Sequence, residues 1–67
     1  MLSREQMLKK LRAERDFLAA NGEVTESLIL NDRIKDLKHG KLGVERAMAI
    51  FESALARRRA SENPSTH

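Results

Sequence analysis

Apolar residues recur along this chain at helical spacing. Met7, Leu8, Leu11 and Leu18 form one stripe. Leu28, Ile29, Leu30, Ile34 and Leu37 form a second, and Val44, Ala47, Met48, Phe51, Ala54 and Leu55 a third. Residues three and four apart lie on one face of an α-helix, so each stripe predicts an amphipathic helix. No window alternates apolar and polar residues for long enough to suggest a strand. The predicted fold is all-α: an antiparallel helical hairpin plus a third helical segment, with coiled-coil-like packing.

The ends of these helices carry their own signals. Ser3 with Gln6 three residues on fits a capping box, and Glu5 suits the positive end of the helix dipole. Asn21 or Gly22, in a left-handed conformation, would end the first helix. Thr25 can cap the second, with Glu26 in its first turn and Val24 stapling onto Ile29. The intervening loop of about four residues favours an antiparallel hairpin, with Leu11 near Ile34 and Met7 near Leu37. Arg57, Arg58 and Arg59 suit the last turn of the third helix. The predicted helices span about residues 3–20, 25–39 and 43–60 of a single domain, 1–60, and 61–67 reads as a disordered tail.

Residues 39–43 allow two readings. Gly40 after Lys38 and His39 looks like a helix C-cap. Yet Leu30, Ile34, Leu37, Lys41, Val44, Met48, Phe51 and Leu55 are spaced 4, 3, 4, 3, 4, 3, 4, an unbroken heptad pattern. The chain then either turns into a three-helix fold or runs on as one long, Gly-kinked second helix. Run on, the stripe Val44, Met48, Phe51 and Leu55 lacks an intramolecular partner. Burying one Phe or Leu is worth roughly 1.5–3 kcal/mol, so a turn or a second molecule should cover it. The expected core is Met7, Leu8, Leu11, Leu18, Leu28, Leu30, Ile34, Leu37, Val44, Met48, Phe51 and Leu55, with Phe17 and Ile50 on a second contact face. Glu14 lies on the first seam and is expected at its rim, reaching solvent beside Asn31; the competing reading is a buried group that fixes register or partner choice. Lys41 is expected to snorkel.

Composition narrows the chemistry. At 67 residues the chain has little area to bury and would gain from very good helix packing or self-association. The absence of cysteine removes disulfides, thiolate metal sites and thiol nucleophiles. Asp36 and His39 stand i, i+3, but too few carboxylates accompany them for a di-metal bundle site, so neither a metal nor another cofactor is expected. The serines have no His and acid in a recognisable frame, and Gly22, Gly40 and Gly43 match no phosphate loop. An enzyme is therefore not expected. No apolar run approaches a membrane span and no secretory signal is evident, so the expected location is the cytoplasm.

The net charge of +3 is carried by residues 31–67. Lys41, Arg46, Arg57, Arg58 and Arg59 are candidate phosphate contacts. No Tyr or Trp interleaves with them to offer a stacking platform, and neither Asp36 nor His39 suits the small position of a helix-turn-helix. The functional expectation is a small non-enzymatic interaction or regulatory protein. It would pack a helix face, anchored by Val44, Met48, Phe51 and Leu55, on itself, most simply as a dimer, or on a helical protein partner. The alternative is a basic, dimeric, DNA-binding or otherwise nucleic-acid-associated protein.

Overall fold

In the computed structural model, residues 2–62 are described, the side chains of Ser61 and Glu62 excepted. They form three helices: α1 (Arg4–Ala20), α2 (Val24–Lys38) and α3 (Val44–Glu62). α3 continues through Glu62, so positions 61 and 62 are helical where a tail is expected from the sequence; residues 63–67 lie outside the described part.

α1 begins as its sequence dictates. The Gln6 amide donates to Ser3 Oγ at 3.1 Å, and the Ser3 amide donates to Gln6 Oε1 at 2.8 Å, satisfying two donors that the first turn would otherwise orphan. Its end is a Schellman turn: the Glu23 amide reaches Leu18 C=O at 2.8 Å and the Gly22 amide reaches Ala19 C=O at 3.2 Å. Gly22 takes φ +81°, a conformation that only glycine adopts without a Cβ penalty. α2 starts one residue earlier than expected. Glu23 stands at its N-cap without a side-chain bond and Thr25 lies inside the helix, so the Thr25 cap does not form.

The junction at 39–43 is a turn. His39 is the C-cap of α2, and Gly40 follows with φ +78°. The Lys41 amide donates to Asp36 C=O at 2.8 Å and the Gly40 amide to Leu37 C=O at 3.3 Å, a second Schellman turn. Gly43 C=O then accepts the first bond of α3, from the Ala47 amide at 2.9 Å. The heptad seam is thus broken in space although its phase is unbroken in sequence.

α1 and α2 pack as an antiparallel pair through Met7, Leu8, Leu11 and Leu18 on one side and Leu30, Ile34 and Leu37 on the other. A bond from Arg15 Nη1 to Asn31 Oδ1, 3.0 Å, holds the register. α3 returns alongside, parallel to α1. It sits chiefly against α1 and meets α2 sparsely. Among its described side chains Ala47 and Ala54, one heptad apart, are the buried ones; Val44, Met48, Ile50 and Phe51 pack around them, partly buried. The loop contributes Leu42, buried in the core though absent from every predicted stripe. Leu28 departs from expectation in the opposite sense. It is 61% exposed and its neighbour Val24 59%, because both lie on the flank of α2 turned away from α3.

Candidate interaction surface

Two features stand out where α3 lies over the hairpin. The first is an ion pair between α1 and α3. Arg58 Nε and Nη2 donate to the two Glu14 carboxylate oxygens at 2.8 and 3.0 Å, the paired geometry in which a guanidinium binds a carboxylate most strongly. Glu14 is only 4% exposed, so the expectation of a solvent-reaching rim residue is overturned. α3 covers it and supplies its counter-charge. The Arg58 guanidinium also stacks 4.2 Å from the centroid of the Phe17 ring, adding a cation–π contact. One turn back, Lys10 Nζ lies 5.6 Å from the Phe51 ring centroid. Beside the ion pair a cavity of about 380 Å³ opens between the α1 end, the α2 start and α3, with Phe17, Leu18 and Ala54 in its wall.

The second feature is an open groove of about 430 Å³ along the sparse α2–α3 seam. Ile29, Ala49, Ile50 and Ser53 line it, edged by Arg33, Arg46 and Arg57. Arg33 pairs with Asp36 at 3.3 Å and Arg57 with Glu26 at 3.2 Å, all four side chains well exposed to solvent. Arg46 has no ion-pair partner among the described residues. Ile29 is 44% exposed. The result is a short apolar strip bordered by three guanidinium groups.

The candidate anchors Val44, Met48, Phe51 and Leu55 do stand together on α3, but all four are half-buried, the first three against the shared core. The turn at Gly40 has folded this stripe back onto α1. Of the candidate phosphate contacts, Arg46 and Arg57 border the α2–α3 groove together. Arg58 is engaged by Glu14 and Arg57 by Glu26, while Lys41 and Arg59 are exposed on the loop and in the last turns of α3. The groove residues were missed by following only the most hydrophobic stripe. Arg46, Ile50, Ser53 and Arg57 are spaced 4, 3, 4, a second helical stripe of mixed polarity.

Among the described residues no His, Cys, Asp or Glu group of three or more is placed to hold a metal ion, and no helix is long and apolar enough to cross a membrane. Comparison with protein-family models, curated proteins and solved structures finds no match.

Proposed function

We propose that this chain is a small non-enzymatic interaction protein that receives an acidic amphipathic helix of a protein partner in its α2–α3 groove. The observation that carries this reading is the composition of the groove. Ile29 and Ile50 offer apolar contact, Arg46 has no ion-pair partner among the described residues, and Arg33 and Arg57 stand beside it in solvent-exposed pairs with Asp36 and Glu26 that cost little to exchange. A helix presenting apolar residues at i, i+3, i+4 and i+7, flanked by glutamates, matches it in both respects. Charge complementarity would orient the ligand and speed its encounter. Arginine rather than lysine suits this work, because its planar fork binds carboxylates bidentately.

The test is fluorescence anisotropy with a labelled helical peptide carrying that apolar pattern and glutamate flanks. A matched peptide with lysine flanks and a short DNA duplex serve as the comparisons. The acidic peptide should bind, and Ile50→Asp or Arg46→Glu should weaken it at least about tenfold. Equal binding of the two peptides, or none by either, rejects the reading. Preferential binding of the duplex, falling steeply with salt and lost when the groove arginines become Gln, would replace it with the nucleic-acid alternative.

A further inference from the structure

We infer that α3 can be exchanged between two copies of this chain, residues 39–43 acting as the hinge, so that Arg58 of one copy closes on Glu14 of the other. This goes beyond the groove reading and stands or falls separately, since the groove re-forms in the exchanged dimer between α2 of one copy and α3 of the other.

Four observations lead there. The first is the unbroken phase of the seam. A turn uncouples α2 from α3, so the folded chain needs no particular phase between Leu30–Ile34–Leu37 and Val44–Met48–Phe51–Leu55. A straight helix does need it, because one face must then meet α1 helices along its whole length. In an exchanged dimer the two long helices run antiparallel. Each lays the front half of its seam on its own α1 and the rear half on the α1 of the other copy.

The second observation is direction. α3 lies parallel to α1, with position 51 beside position 10 and position 58 beside positions 14 and 17. It therefore runs antiparallel to α2. A partner's α3 drawn out in line with its own α2 enters this site in the same direction when the copies are related by a two-fold axis.

The third is how little packing the opened chain gives up. The principal packing of α3, on α1, and its sparse contact with α2 are both regenerated by the second copy. The fourth is the hydrogen-bond account at the hinge. The turn bonds from the Gly40, Lys41 and Leu42 amides to Leu37 and Asp36 carbonyls are replaced one for one by bonds of a continuous helix, so no backbone donor is orphaned. What holds the closed form is Leu42, which is buried only in the turn, and the two glycines, which disfavour a helix.

The glycines make the balance adjustable. A Cβ at Gly40 or Gly43 would meet no atom within 4 Å, so neither change clashes with the folded chain. Alanine at position 40 is strained in the turn by its φ of +78°, and alanine at both positions favours the straight helix.

The experiment is light scattering coupled to size exclusion on the full chain and on Gly40→Ala/Gly43→Ala, up to about 1 mM. The double variant should be a dimer, with a dissociation constant at least about tenfold below that of the parent. A variant that stays monomeric throughout overturns the inference. Exchange itself is read by complementation in the double-alanine background. Glu14→Arg and Arg58→Glu, made in separate chains, each lose the ion pair. Mixed in an exchanged dimer, position 14 of the first chain faces position 58 of the second with opposite charge, and the native Glu14–Arg58 pair re-forms at the other site. The mixture should have dimer mass and melt about 5 °C or more above either component. A mixture that melts as the sum of its parts means side-by-side association and rejects the exchange.

Discussion

The α1–α2 hairpin and α3 are held in place by different physics. Between α1 and α2 the contact is made by large aliphatic side chains, with Met7, Leu11 and Leu37 fully enclosed. On α3 the enclosed residues are two alanines, the large side chains are half-buried, and the C-terminal half is pinned by a charged fork. The first interface resembles a protein core. The second, with half-buried Met48 and Phe51 and an arginine fork, is closer in makeup to a boundary between subunits, where aromatic, Met and Arg side chains are enriched. This difference is why the proposed exchange moves α3 rather than α1 or α2.

The comparison can be broken most severely in the hairpin. Leu37→Ala removes a fully buried side chain and should cost about 2–5 kcal/mol. That is of the order of the whole stability of a domain this size, so urea denaturation should show a largely unfolded chain at low denaturant.

The α3 interface should respond to charge instead. Arg58→Ala leaves Glu14, only 4% exposed, buried without its counter-charge, and should cost about 3 kcal/mol. Replacing both partners, as Glu14→Leu/Arg58→Met, should recover most of that loss, because an apolar pair of similar volume removes the desolvation cost. A double variant as unstable as Arg58→Ala would show that the fork contributes more than mutual neutralisation.

A smaller effect sharpens the view of local signals. Ser3→Ala removes one half of the capping box and should cost about 1 kcal/mol by the same denaturation measurement. Arg57→Ala breaks a solvent-exposed pair with Glu26 and should change stability by less than about 1 kcal/mol. The smallest effect belongs to Leu28→Ser. A leucine on a predicted apolar stripe would ordinarily be damaging to replace, yet at 61% exposure this one should change stability within about 0.5 kcal/mol. A drop above about 2 kcal/mol would mean that another surface covers it.

Much of the fold is legible in the amino-acid sequence. The Ser3–Gln6 cap, the turn at Asn21–Gly22 and the stripes of α1 and α3 depend on neighbours a few residues apart, and short-range sterics and hydrogen bonding decide them. The candidate surface was less legible. The spacing of Val44, Met48, Phe51 and Leu55 puts them on one face of a helix, but whether that face lies open depends on the turn at Gly40. The groove formed by Ile29, Ile50 and three arginines joins residues of two helices that hardly touch, and the 4, 3, 4 stripe of α3 shows only its own half of it.

By itself the amino-acid sequence determined that this chain is helical, where α1 begins, where each turn can fall, and which residues share a face. Those properties follow from periodicity, caps and glycine, all of them local. Only the tertiary structure decided that the heptad seam breaks at Gly40, that Leu42 enters the core while Leu28 leaves it, and that Glu14 is buried. Each of these depends on where α3 comes to rest. A residue's burial is set by what is placed over it, and here the covering element lies more than forty residues away in the chain, as Arg58 does from Glu14.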